Sequence, residues 1–328
     1  MFKVNLLRYS FLIIGLLLPA SAASSAETEK TGNPAVVSPV RAVTAPGPAA
    51  TSIPNSASAV TITPGQVIPE DLRRPLVLQE IAFCQETLTT GIVPAFLTNS
   101  TEATIRLSPQ GPIKLAADLK ARGTMPGSLY WEPMVAFASV RGDLGFTSGP
   151  WELERLGDSR LYGEYLSVWE KAPGGGFNLL LHASVSHGPS IFRISTNSVI
   201  AQQGVYRPGN VSGEKAAPEM MQTEREFIAA LQTQTVDAAY GKYGYFDLLV
   251  ARDGKSAVSG RGLVSKVLES GDLRGEWKVA DSRVSSGGDL GYSYGEVLGT
   301  TKRWYLHIWE FESRGGWKLL AQFLIDAK

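Results

Sequence analysis

Cysteine is nearly missing: Cys84 is the sole thiol in 328 residues, which excludes an intramolecular disulfide framework and any zinc site of the multi-cysteine kind. Three histidines are too few for a histidine-rich metal centre, and neither a metal nor a cofactor is expected. No charge dominates, with 31 Lys and Arg against 31 Asp and Glu. The basic footprint of a nucleic-acid binder is therefore lacking, and so is an acidic disordered tail. No phosphate loop or dinucleotide glycine fingerprint occurs; Gly174 to Gly176, preceded by Pro173, reads as a hairpin turn. Ser184 and Ser186 have no nucleophile-elbow glycines around them. What is present, 44% apolar and 19% charged side chains in 35.3 kDa, fits a globular protein of two domains.

The first 22 residues read as an export signal. Lys3 and Arg8 precede an apolar run from Phe11 to Leu18, and Pro19, Ala20, Ser21 and Ala22 follow it. The run is short of the roughly 20 residues that an anchor helix needs, so cleavage after Ala22 is expected, with no membrane span left afterwards. The mature chain, with a net charge of about −2, is then periplasmic or secreted. Residues 23–70 are rich in Ala, Ser, Thr and Pro and poor in large apolar side chains, which reads as an extended tether or as a proline-rich recognition segment.

The remainder is one unit written twice. Trp131 to Gly149 (WEPMVAFASVRGDLGFTSG) and Trp277 to Gly295 (WKVADSRVSSGGDLGYSYG) share the tryptophan, Ser139 with Ser285, the whole Gly-Asp-Leu-Gly, and the last glycine, all 146 positions apart. Tyr165 to Phe177 matches Tyr305 to Trp317 at 140. Upstream, Glu80 is aligned with Glu226 and Arg106 with Arg252 at 146. So long a period indicates a duplicated domain, since solenoid repeats are far shorter. The copies are placed at 71–190 and 218–328, with a connector at 191–217.

Each copy opens with three-and-four-residue apolar spacing, Leu78 to Phe96 and Glu224 to Tyr240, which predicts an amphipathic helix. Short helical stretches are expected at Pro112 to Ala121 and Gly262 to Leu268. Strands follow at 134–140, 144–151, 161–170 and 177–185, with counterparts in copy two. On Trp304 to Glu312, residues Tyr305, His307, Trp309 and Phe311 share one face, and Leu306, Ile308 and Glu310 the other. The last strand is grouped as Trp317, Leu319, Ala321, Phe323 and Ile325 against Leu320, Gln322 and Leu324. Strands apolar on both faces predict a sheet that holds a helix on one side and meets a second sheet on the other. The fold class is thus α+β, a curved antiparallel sheet wrapped on helices, made twice and packed together.

An E-x-x-F-like helix start, a strand ending near Arg252-Asp253-Gly254, then Trp277, Gly288 to Gly295 and Tyr305 to Trp317, with its YxxxWE and GGW, resemble the ketosteroid-isomerase-like or nuclear-transport-factor-2-like superfamily, and within it the exported SnoaL-like group. The resemblance spans both copies. It implies two cone-shaped α+β barrels with an apolar cavity at the mouth, paired through their sheets as an internal pseudo-dimer.

It also implies where chemistry could lie. Ketosteroid isomerases set a carboxylate base opposite an oxyanion hole made of a tyrosine and a protonated acid. The base position corresponds here to Asp253, and to Leu107 in copy one. The acid position falls on His307, and on Ser167 in copy one; Tyr240, Tyr243 or Tyr245 could supply the phenol. An isomerase, cyclase or hydrolase acting on a small carbonyl compound would therefore use Asp253 and His307 of domain two alone. Arg252 beside Asp253 weakens it as a base, and an aspartate before a glycine is as readily a turn residue. The preferred expectation is a non-catalytic module. It either binds a small apolar or amphipathic ligand, lined by Tyr245, Tyr294, His307 and Trp309, or serves as a protein-interaction scaffold; cones filled by their own side chains are a third outcome. Asp143 and Asp289 are expected to bond their own turns, Cys84, aligned with Ala230, to be a buried thiol, and His182 to be a polar strand residue.

Overall fold

The computed structural model describes residues 73–155, 157, 160–189, 200–203 and 211–328. The expected signal at 1–22, the tether at 23–70 and most of the connector lie outside the described residues. Copy one comprises α1 (Arg73–Thr90), α2 (Ile92–Thr98), β1 (Ser100–Ser108), β2 (Gly111–Lys114), α3 (Leu115–Arg122), β3 (Ser128–Trp131), β4 (Val135–Ala138), β5 (Leu144–Glu154), β6 (Leu161–Lys171), β7 (Phe177–His187) and β8 (Ile200–Gln203). Copy two comprises α4 (Gly213–Thr233), α5 (Val236–Tyr243), β9 (Gly244–Arg252), β10 (Lys255–Ser259), a 3-10 turn (Arg261–Lys266), α6 (Ser270–Leu273), β11 (Glu276–Val284), β12 (Leu290–Leu298), β13 (Lys302–Glu312) and β14 (Gly316–Asp326).

The sheets run β2-β1-β7-β6-β5-β4-β8, with β3 also on β5, and β10-β9-β14-β13-β12-β11. In each, the long strands form an antiparallel meander, and the last strand of that meander, β7 or β14, runs parallel to the first strand of the copy, β1 or β9. This is the duplicated α+β architecture. No helix among the described residues is long and apolar enough to cross a membrane.

Local chemistry shifts several boundaries. The single helix expected over 78–96 is two, because Gly91 sits at φ 97, a left-handed angle that stops α1. Copy two starts earlier than placed, with α4 already helical from Gly213. Pro133, which has no amide hydrogen to give a ladder, divides β3 from β4, whereas β11 runs through the equivalent position.

The repeat is also out of step with the 146-residue alignment at its start. From α1 to β2 the elements recur 144 positions on, as Ser100 and Gly244 opening β1 and β9, and Gly111 and Lys255 opening β2 and β10, show. Sheet register agrees: Arg106 lies opposite His182 and Val250 opposite Gln322, and those two partners are counterparts. Glu80 therefore corresponds to Glu224, not Glu226; Arg106 to Val250, not Arg252; Cys84 to Ile228, not Ala230; and Asp253 to Pro109, not Leu107. The two extra residues of copy two fall between β10 and β11.

The faces of β13 divide as expected: Tyr305 and Trp309 join the core under α4, while Leu306 and Ile308 join the core shared between the sheets. On β14 the grouping changes midway. Ile308 lies opposite Ala321 but Trp309 opposite Leu319, so Leu320 is an extra, bulged residue. Trp317, Leu319 and Leu324 face the helix, whereas Leu320, Ala321, Phe323 and Ile325 face the other copy. β7 carries the same bulge at Leu180.

A single apolar cluster, including Leu107, Phe146, Val168 and Leu181 of copy one and Tyr292, Leu306, Ile308 and Phe323 of copy two, joins the sheets face to face as an internal pseudo-dimer. The Gly-Asp-Leu-Gly turns close it at one end. Asp143 Oδ1 accepts from the hydroxyl of Ser139 (2.8 Å) and Asp289 Oδ1 from that of Ser285 (2.7 Å). The second oxygens cross over: Ser286 N–H donates to Asp143 Oδ2 and Val140 N–H to Asp289 Oδ2, both at 2.7 Å. Val140 and Ser286 are themselves counterparts, so the clasp is reciprocal. Each aspartate thus bonds its own turn through the hydroxyl and reserves its other oxygen for the partner turn. The motif's last glycine is explained by the helix above it. A Cβ on Gly145 would lie 2.7 Å from Leu76, and one on Gly291 2.4 Å from Met220.

Candidate functional site

The inside of each cone is organised by a carboxylate hung from its first long helix. Glu80 on α1 and Glu224 on α4 are 0% exposed, flanked by apolar residues at helical spacing: Leu76 and Phe83, Met220 and Phe227. In copy one, Trp131 Nε1 donates to Glu80 Oε1 at 2.6 Å, and the Thr147 hydroxyl and Trp169 Nε1 donate to Oε2 at 2.5 and 2.9 Å. In copy two, Ser293 and Trp309 donate to Glu224 Oε2 at 2.9 and 2.7 Å, and His307 Nδ1 lies 3.0 Å from Oε1. Thr147 with Ser293 and Trp169 with Trp309 are counterpart donors.

The electrostatics differ. Burial pushes Glu80 up to about 7, against the opposing bonds from Thr147, Trp131 and Trp169. Burial acts on Glu224 in the same direction, but the charge and bond of His307, with Ser293 and Trp309, hold it below the ordinary carboxylate value. The interior histidine of copy one, His182, lies on β7 and bonds Ser167 at 3.2 Å; burial, then Arg106, lowers it to about 3.

Aromatic rings fill the space beneath. Phe83 meets Phe96, Trp131 and Trp169 with centroids 4.7, 4.9 and 5.9 Å away. Phe227 meets Tyr240, Tyr243, His307 and Trp309 within 5.2 to 5.8 Å. The Tyr240 hydroxyl donates to Gln322 at 2.8 Å. In the cone of copy two, His307 Nε2 and Gln322 Nε2 are buried with no hydrogen-bond partner among the described residues.

The candidate residues separate onto two faces. His307 and Trp309 are inside the cone of copy two, whereas Tyr294 and Tyr245 belong to the contact between the sheets, where Tyr294 stacks on Tyr292. Asp253 is also at that contact. Ser186 N–H donates to its Oδ1 at 2.9 Å and Asp326 N–H to its Oδ2 at 2.9 Å, and burial raises it above its ordinary value against those bonds. Val250, not Asp253, shares the interior row with Gln322 and His307. The structure therefore does not bring Asp253 and His307 together. Arg252 pairs with Asp272 at 2.6 Å rather than with Asp253. Cys84 is buried, accepts the Trp131 N–H at 3.3 Å and is pushed up to about 11 by burial. Sequence reasoning missed both central carboxylates. The signal was the E-x-x-F pair itself, Glu80-Phe83 and Glu224-Phe227, an acid set into an otherwise apolar helix face.

No protein-family model matches the chain, and no curated protein matches it. Among solved structures it is similar to a nuclear transport factor 2-like protein from Cytophaga hutchinsonii, with 16% identity, TM-score 0.27, and 34% of this chain and 97% of that one covered. It is similar to a ketosteroid isomerase-like protein from Erwinia carotovora atroseptica at 11%, TM-score 0.29, covering 37% and 99%. A third is nuclear transport factor 2 from Cryptosporidium parvum at 14%, TM-score 0.29, covering 38% and 98%.

Proposed function

We propose that the folded part is a non-catalytic protein-interaction scaffold, a fused pair of cones that works after export. The observation that carries this is the saturation of the cone interiors. Glu80 and Glu224, both 0% exposed, each take three side-chain donors and sit over rings centred on Phe83 and Phe227. An interior committed to its own tryptophans and carboxylate offers little to an apolar substrate. The separation of Asp253 from His307 removes the acid–base pair that an isomerase would need. Native mass spectrometry of the mature protein from its source cells tests this. The expected result is a chain beginning at Ala23 with no small molecule attached. A stoichiometric co-purified compound overturns the scaffold reading, and a chain beginning at Met1 overturns export.

A second reading rests on the two ring and amide nitrogens, His307 Nε2 and Gln322 Nε2, that have no partner among the described residues inside the cone of copy two. His307 and Gln322 could together hold a small polar molecule. Under that reading the bound species is lost from Gln322→Leu but kept by a substitution in copy one.

A further inference from the structure

α1 turns an apolar row outward. Leu78, Ile81 and Leu88 are 54%, 37% and 50% exposed, and Tyr130 of β3 beside them is 46% exposed. A groove of about 190 Å³ runs along this row, with Ile81, Leu88, Trp131 and Pro133 among its walls. The duplicate supplies an internal control. At the equivalent places copy two has Gln222, Arg225 and Gln232 on α4 and Glu276 on β11. Its groove is bridged, since Gln232 Nε2 donates to the carbonyl of Leu273 at 3.3 Å and Gly275 N–H donates to Gln232 Oε1 at 3.0 Å. The fold thus accepts polar side chains at every one of these positions, and packing within the domain does not account for the apolar set in copy one.

Two properties of the row select an occupant. Leu78, Ile81, Gln85 and Leu88 follow the three-four-three spacing of a helix-on-helix seam, with one polar residue in it. That spacing is symmetric about Phe83, so an identical helix laid antiparallel sets Leu78 against Leu88 and Ile81 against Gln85, each twice, as an isologous contact requires. From Leu78 to Leu88 the row itself carries no formal charge, and the one acid on the groove wall, Glu132, accepts from the Tyr130 hydroxyl. Glu80 is buried beneath it, and Glu86, to one side, accepts from Asn99 Nδ2 at 2.7 Å. Along the helix row, two such faces meet without like-charge repulsion. The matching face of α4, with Arg225 and Glu226 both exposed, has no such neutrality.

We propose that this face of α1 is where two copies of the chain pair, antiparallel and helix on helix. The proposal is independent of whether either cone holds a ligand. The patch offers a few hundred Å² of apolar surface on each side, below the roughly 1,200 Å² total of a standard interface, so the pairing is weak and reversible.

Sedimentation velocity of the mature chain from about 1 μM to about 1 mM reads it directly. The expected result is a shift from monomer to dimer across that range. Ile81→Arg and Leu88→Gln, which install the residues copy two already carries, should leave the circular dichroism and melting temperature unchanged and move the midpoint at least about tenfold upward. Leu78→Gln is a third variant of the same kind. A monomer throughout, which is also what a helix of another protein on this face would give, overturns the proposal; so does a dimer indifferent to all three substitutions.

Discussion

Glu80 and Glu224 hang from equivalent turns of equivalent helices, and their surroundings shift them in opposite directions from the ordinary carboxylate value. The difference traces to one histidine. In copy two it stands on β13 as His307, against the carboxylate, and holds Glu224 below the ordinary carboxylate value. In copy one that position is Ser167, and the interior histidine is one strand away as His182, kept neutral by burial and Arg106. Glu80 is left with neutral donors and climbs to about 7. A buried acid in this scaffold is therefore a fixed architectural element, while its ionisation is set by which strand carries the imidazole.

The comparison breaks most violently at Glu224. Glu224→Ala strands His307, Ser293 and Trp309 without an acceptor, and urea unfolding should show a loss on the order of 3–5 kcal/mol. The pH dependence sharpens it next. An acid whose folded value, about 7, lies above its unfolded 4.5 keeps its proton only in the native state between those values. The stability it contributes is full below about 4.5, falls as pH rises toward 7 and is flat above. Unfolding at pH 5 and pH 8 should differ by about 3 kcal/mol more in the native protein than in Glu80→Gln. A transplant follows: His307→Ser gives copy two the residue of copy one, and carboxyl NMR titration should find Glu224 moved up toward the range of Glu80. The smallest contrast is in the clasp. Asp289 is 0% exposed and Asp143 is half-buried, so Asp289→Ala should cost about 2 kcal/mol in thermal unfolding and Asp143→Ala about 1.

The tandem fold was legible because the Gly-Asp-Leu-Gly turn cannot vary freely. Gly142 and Gly288 sit at φ 65 and 72, the aspartates bond both turns, and Gly145 and Gly291 admit the helix. Alternation on β13 was legible for the same reason, since strand geometry fixes the face. The misalignment of Glu80 with Glu226 came from two residues inserted between β10 and β11, a segment whose helical turns bear no common motif. The bulge at Leu320 left no mark either. Leu319 precedes it and Ala321 follows, and a one-residue shift between apolar faces changes no hydropathy pattern. Tyr245 and Tyr294 were placed in a cavity because their aromatic character suits a pocket and a sheet–sheet contact equally well.

The reciprocal clasp has a consequence for dilution. A pair of separate chains holding the same sheet-to-sheet contact loses translational freedom on meeting and comes apart as concentration falls. Here each half is the other's tethered neighbour, at an effective concentration that no external volume alters. The contact persists at any abundance, and the halves stay matched one to one, so each is free to diverge from the other without forming mismatched pairs.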